Sequence, residues 1–158
     1  MKTIDIVGNN YHGSFTRVRI ANRAIIIENG LILLSHEIKN DLWMLPGGGL
    51  EEGETIFEGV VREVIEETGN IIKPSDPVLQ IDEYYGDEKY TSYYFFGVII
   101  GQSEKHLTTS EAENGLECRW ISIDEAFKIF SNYQDSSFFE EKRGLYLREY
   151  TALKELIK

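Results

Sequence analysis

The chain has 158 residues, 42% of them hydrophobic and 27% charged, with only three prolines, a composition that fits one ordinary folded domain over residues 1–158 and excludes a disordered or fibrous chain. A formal net charge of -11 opposes any general attraction to a nucleic-acid polymer or an anionic membrane, so an anionic partner has to be small and met by local cations. The single cysteine, Cys118, excludes an internal disulfide, and the first ten residues lack the continuous apolar stretch of a signal peptide; both point to the cytoplasm.

In chain order, residues 16–37 read as two β-rich runs separated by Asn29-Gly30, a strong hairpin signal. Their unbroken apolar stretches, Ala24 to Ile27 and Leu31 to Leu34, predict strands covered on both faces, hence a sheet flanked by helices. Arg17, Arg19 and Arg23 alternate on the first run and form a cationic patch suited to phosphate or ribose, or to surface pairing. Residues 42–45 form a short apolar run that ends in Pro46-Gly47-Gly48-Gly49, expected as an irregular loop whose backbone can approach a ligand.

A helix is predicted to begin near Glu54. Thr55 and Glu58 make a capping box, Val60, Val61 and Val64 belong to a broad apolar face, and Gly69 stands where a C-terminal glycine cap belongs. At about 100° per residue, Glu63, Glu66 and Glu67 share one flank of this helix, while Glu54 lies off it. Carboxylates near a helix C-terminus cost roughly 0.3–1 kcal/mol each, and Arg62 alone cannot neutralise three. A solvated acidic face or a hard divalent cation would both relieve them. Gly59, one turn before Glu63, leaves space for ions or phosphate.

Two further strands are predicted at residues 78–85 and 90–100 around Gly86-Asp87, the second apolar on both faces and therefore central. Their tyrosines, Tyr84 and Tyr85 among them, are core or base-stacking candidates. The polar stretch 101–115 is expected beside any site, because long loops in compact domains are usually functional. A strand at 117–122, a helix capped by Ser122 and Glu125 and running through Phe130, and an amphipathic C-terminal helix with Leu145, Leu147, Tyr150, Leu153 and Leu156 complete the chain. Phe138 and Phe139 between those helices suit quiet packing, a lid or a homodimer contact.

Residues 48–70, GGLEEGETIFEGVVREVIEETGN, resemble the Nudix box, G-x5-E-x7-R-E-U-x-E-E-x-G-U with U a bulky aliphatic residue. Gly48, Glu54, Arg62, Glu63, Glu66, Glu67 and Gly69 match, Val64 supplies the first aliphatic position, and Asn70 departs at the last, a packing position. The resemblance extends over residues 16–130, through Trp43-Met44-Leu45-Pro46 and Arg119-Trp120-Ile121-Ser122. It implies an α/β fold, an α/β/α sandwich with a mixed β-sheet flanked by helices. It also implies Mg2+- or Mn2+-dependent hydrolysis of a phosphoanhydride in a small nucleoside-diphosphate-linked substrate. By the same resemblance Glu66, Glu67 and the Gly47 carbonyl are expected to ligate metal, and Glu63 to ligate or act as general base. Arg62 is expected to hold the carboxylates in register and Glu54 to assist. A further acid from the late loop is sought among Glu111, Glu113 and Glu117, with Glu113 favoured. Tyr85 comes near the tyrosine that marks dinucleoside-polyphosphate hydrolases, but Gly86 occupies the usual distance, so nucleoside triphosphates and ADP-ribose stay open. A catalytically silent nucleotide sensor or partner-binding module is the alternative, disfavoured because every carboxylate of the box is present.

Overall fold

A computed structural model describes residues 1–157. Among the described residues there are ten strands: β1 (Lys2–Val7), β2 (Arg17–Ile25), β3 (Ile27–Glu28), β4 (Leu31–Glu37), β5 (Leu42–Met44), β6 (Gly47–Gly49), β7 (Asn70–Pro74), β8 (Leu79–Tyr85), β9 (Glu88–Gln102) and β10 (Leu116–Ser122). The α-helices are α1 (Ile56–Thr68), α2 (Thr109–Glu113), α3 (Ile123–Phe130) and α4 (Glu140–Leu156), with a 3-10 turn at Ser131–Gln134. Six strands form a mixed sheet in the order β1-β8-β9-β2-β6, with β7 added on β9; the other four form a second sheet in the order β10-β4-β3, with β5 on β4.

The expected hairpin at 16–37 is only partly formed. Asn29 and Gly30 do turn with positive φ, 52° and 77°, but the hairpin they close is β3 with β4 in the second sheet. β2 leaves it to run parallel to β9 through nine paired residues, from Arg17 with Glu88 to Ile25 with Phe96. The Ile25-Ile26-Ile27 run, apolar on both faces, lets the chain pass from one sheet to the other, and Leu33 N–H still donates to the Ile26 carbonyl at 3.0 Å. The second predicted hairpin forms as expected, with Tyr85 opposite Glu88.

Two strands escaped the sequence reading. β1 adds in parallel to β8, and β7 leaves α1 at Gly69 (φ 74°) to pair antiparallel with β9. Asn70, the departure from the box, is buried there; its side chain donates to Thr68 Oγ1 at 3.1 Å, so a polar contact replaces the aliphatic one.

Both sheets contribute to each of two core layers. Ala24, Ile26, Leu33, Val60, Val64, Ile72 and Phe95 pack beneath α1. Ile25, Leu34, Leu45, Ile81, Tyr94, Phe130, Tyr146 and Leu153 pack on the opposite side, beneath α3 and α4. This gives the helix-sheet-helix layering expected of an α/β sandwich. The stripe of α4 is rotated from the predicted one: Lys142, Tyr146, Glu149, Ala152 and Leu153 are buried, while Leu145, Leu147 and Tyr150 are half-buried. No helix among the described residues is long and apolar enough to cross a membrane.

Candidate active site

The glycine run is not an irregular loop. It is β6, paired antiparallel to β2 so that Arg23, Asn22 and Ala21 oppose Gly47, Gly48 and Gly49. A side chain is excluded at Gly47 and crowds the Glu63 carboxylate at Gly48. A Cβ on Gly47 would lie 1.9 Å from the Asn22 carbonyl oxygen, and one on Gly48 would lie 2.6 Å from Glu63 Oε1. The bare backbone of β6 therefore lets the carboxylates of α1 reach the edge of the mixed sheet.

α1 is fixed by both of its predicted caps. Thr55 Oγ1 accepts from Glu58 N–H at 3.1 Å, Glu58 Oε1 accepts from Thr55 N–H at 3.2 Å, and Gly69 closes the far end on the Ile65 carbonyl. The helix starts at Ile56, so Glu54 precedes it and the helical wheel does not govern its position. Arg62 reaches back to Glu54 in a bidentate pair, Nε to Oε2 at 2.6 Å and Nη2 to Oε1 at 3.0 Å. Its Nη1 donates to Glu63 Oε1 at 3.0 Å and to Glu66 Oε2 at 3.1 Å, and its Nη2 donates to the Gly49 carbonyl at 3.1 Å. One guanidinium thus gathers three carboxylates and ties them to β6.

Glu67 turns away from Arg62 into the protein. Its Oε2 accepts from Gly47 N–H at 3.0 Å and from Ser35 Oγ at 3.4 Å. Burial pushes its carboxyl up to about 8, opposed by the Arg23 charge and reinforced by Glu63 and Glu111. Burial also raises Glu63, Arg62 opposes the shift, and Glu66 and Glu111 add to it. Arg62 in turn stays firmly charged, above all because it donates to Glu54. Among the described residues no three acidic, histidine or cysteine side chains converge as a ready metal cage. The donor set still fits a hard divalent ion: Glu63 and Glu67 are desolvated and mutually repelling, and oxygen donors dominate. A cation beside them would relieve the repulsion that Arg62 and Arg23 offset only in part.

The remaining expected residues separate. Arg23 is half-buried, and its Nη1 donates to the Leu45 carbonyl at 3.1 Å and to the Gly47 carbonyl at 3.2 Å, bracing β6 from behind. Arg17 and Arg19 are exposed, and Arg17 pairs with Glu88 at 3.7 Å. The late stretch does lie beside the site: His106 N–H donates to the Glu66 carbonyl at 2.9 Å. Glu111, on α2, is the late acid whose charge is felt at both Glu63 and Glu67. Glu113 ends the same short helix, and Glu117 lies on β10 opposite His36.

A cavity of about 560 Å³ opens between α4 and the mixed sheet, lined by Glu83, Tyr85, Tyr90, Phe139, Glu140 and Arg148 among others. Tyr85 donates to Glu83 Oε1 at 3.4 Å, and burial pushes its hydroxyl up to about 12. Glu83, Arg148 and Glu149 escaped the sequence reading. A signal existed for Glu149: it sits four residues from both Leu145 and Leu153, inside an apolar stripe where a charge has to be paired. Asn22 was also missed. It is fully buried against Gly59, and neither its Oδ1 nor its Nδ2 has a hydrogen-bond partner among the described residues.

Residues 18–141 match the family model described as NUDIX domain. The RNA pyrophosphohydrolase of Psychrobacter arcticus is 30% identical over 149 residues, covering 87% of this chain and 83% of that protein. YjhB, a candidate ADP-ribose pyrophosphatase of Bacillus subtilis, is 28% identical over 118 residues; the match covers 73% of this chain but only 55% of that relative's length. Among solved structures, a NUDIX hydrolase from Nitrosomonas europaea is similar with a TM-score of 0.61 and 24% identity, covering 85% of this chain and 88% of that one. A MutT protein from Methanosarcina mazei Go1 has a TM-score of 0.56 and 26% identity, covering 87% and 96%.

Proposed function

The chain belongs to the Nudix hydrolase family, and from that premise we propose that it is a metal-dependent pyrophosphohydrolase that cleaves a phosphoanhydride in a nucleoside-diphosphate-linked substrate. The observation that carries this reading is Arg62 holding Glu54, Glu63 and Glu66 together beside the glycine edge strand, with Glu67 anchored beneath that strand.

Glu63, Glu66 and Glu67 would hold Mg2+ or Mn2+, with the Gly47 carbonyl, already polarised by Arg23, as a further donor. When bound, the metal supplies positive charge against the pyrophosphate and makes water easier to deprotonate. Glu63 is the acceptor for that proton: it is desolvated, lies against the side-chain-free Gly48, and is aligned by Arg62. Glu54, gripped at both oxygens, would serve to fix Arg62. Glu111 is the late carboxylate best placed to take part, ahead of the expected Glu113, because its charge reaches both Glu63 and Glu67.

The α1 carboxylates and α4 flank opposite faces of the mixed sheet, so the rest of the substrate would pass the β6 edge to lie along the α4 face. In register, Arg19 stands opposite Tyr90 and Tyr90 opposite Glu83, so the exposed arginine and the cavity share one row. That row is four residues along β2 from Arg23, about 13 Å at roughly 3.3 Å per residue. Phosphates near β6, ribose near Arg19 and the base in the cavity is the arrangement this spacing supports.

The test is turnover. Purified protein with magnesium is incubated with nucleoside triphosphates, ADP-ribose, dinucleoside polyphosphates and nucleotide sugars, and cleavage is compared with an EDTA control. Magnesium-dependent cleavage of at least one class is expected. Nucleotide binding without cleavage of any class would instead mark a silent binding domain.

A further inference from the structure

The α4 cavity is acidic. Glu83, Glu140 and Glu141 line it against one arginine, Arg148, whose Nε is already committed to Glu149 at 3.1 Å. A phosphate would meet repulsion there, so the group that enters has to be uncharged or rich in hydrogen-bond donors. The lining is aromatic: Tyr85 and Tyr90 pack on each other at 6.3 Å with a 59° tilt, and Phe139, exposed at 46%, offers a ring on which a flat group can stack.

Glu83 is the polar group with acceptor capacity to spare. Its carboxylate has about four acceptor sites, and the contacts it makes are long: Tyr85 Oη at 3.4 Å and Arg148 Nη1 at 3.6 Å. Burial raises its carboxyl, with the neighbouring Glu149 adding to the shift and the Arg148 charge opposing it; in its ionised form Glu83 acts purely as an acceptor. A carboxylate of this kind prefers a ligand edge carrying two neighbouring N–H donors.

We propose that Glu83 is a specificity-determining residue and that the cavity selects a guanine nucleotide. Guanine presents N1–H and the 2-amino group side by side, one for each oxygen of Glu83. Adenine and cytosine offer one amino donor next to a ring nitrogen whose lone pair would face the second oxygen. Uracil offers one N–H between two carbonyls. A site built to pair with donors rejects a ring that lacks them, because its own buried acceptor is then left unpaired. The inference rests on the hydrolase reading for the placement of the base, but it is tested by binding alone.

Calorimetry with GDP, IDP and ADP, with EDTA present, separates the two. GDP is expected to bind at least about tenfold more tightly than ADP, and about tenfold more tightly than IDP, which differs from GDP by loss of the 2-amino group. In Glu83→Gln, which offers one acceptor and one donor, the GDP preference should shrink to within about threefold. Equal affinities for GDP and IDP in the wild-type protein overturn the proposal without recourse to any variant, and so does a preference that survives in Glu83→Gln. A GDP preference without magnesium-dependent cleavage sustains this inference and overturns the hydrolase reading; cleavage without base preference does the reverse.

Discussion

The chain contains two arginine-centred networks that differ in what surrounds them. Around Arg62, the side chains of Glu54, Glu63 and Glu66 retain 11%, 14% and 32% of their exposure, and Glu51 joins at 3.5 Å with 66%. Around Arg148, Glu83 retains 5% and Glu149 none. The first network holds surplus negative charge at the lip of a strand without side chains, where, on the hydrolase reading proposed above, a cation and a phosphate would be met. The second is closed around Glu149, while Glu83 keeps an edge on the α4 cavity. Glu149 accepts from Leu45 N–H at 2.7 Å, Tyr94 Oη at 2.7 Å and Arg148 Nε, and so ties α4 to the chain just before β6. On the hydrolase reading, similar chemistry serves as a working surface around Arg62 and, through Glu149, as a fixed brace around Arg148, with solvent access as the deciding variable.

That contrast can be broken from either side. Glu149→Leu should be the most damaging change to stability, by about 3–5 kcal/mol, because it leaves a buried guanidinium, a buried N–H and a buried hydroxyl short of their partner. Urea denaturation measures it, and a loss below about 1 kcal/mol would show that the brace is not structural. Glu63→Gln should lower kcat by roughly a hundredfold or more while changing stability by less than about 1 kcal/mol. Near-normal turnover in that folded variant would remove the Arg62 network from the chemistry. Gly48→Ala sharpens the same point without touching a charge. Its Cβ would sit 2.6 Å from the end of the Glu63 side chain, a flexible group that can yield. About a tenfold fall in kcat with little change in stability is expected, and equal effects on both would assign Gly48 to folding alone.

The sequence exposes the first network better than the second. Glu54, Arg62, Glu63, Glu66 and Glu67 are legible because a motif with fixed spacing maps onto one helix whose start and end are both marked, at Thr55 and Gly69. Thr55→Ala should accordingly cost about 1 kcal/mol, read as a lower denaturation midpoint, and kcat should follow only as far as α1 frays. Glu83 and Glu149 are hidden because their meaning depends on contacts far along the chain, such as Glu149 with Leu45 and with Tyr94. Strand order suffers from the same non-locality. The Asn29-Gly30 turn is readable, but that β2 pairs with β9 and not with β4 is decided by how two sheets share the Ile25 to Ile27 run. β1 was missed because it is an edge strand with a largely exposed face, and its alternation over six residues is weak.

The smallest effect lies at the far end of the brace, where α4 meets the turn after β4. Asp41 has an exposed side chain, at 75%, yet it accepts from His36 Nε2 at 2.8 Å and lies 3.9 Å from Lys142 Nζ. The His36 hydrogen bond is the main cause that holds its carboxyl below the ordinary value of 3.8; burial opposes it, and the Lys142 charge adds to the lowering. A depressed folded-state value means that the group stabilises the fold fully above 3.8 and loses that contribution as pH falls through the folded value. Solvent screening limits the contribution to about 0.5 kcal/mol. Asp41→Asn should therefore lower stability slightly and evenly at neutral pH, with the gap to the wild type closing only as the solution is acidified below the ordinary carboxyl value of 3.8. A gap that widens on acidification would mean that Asp41 is strained in the fold, and that α4 is held by Glu149 and Tyr146 without its help.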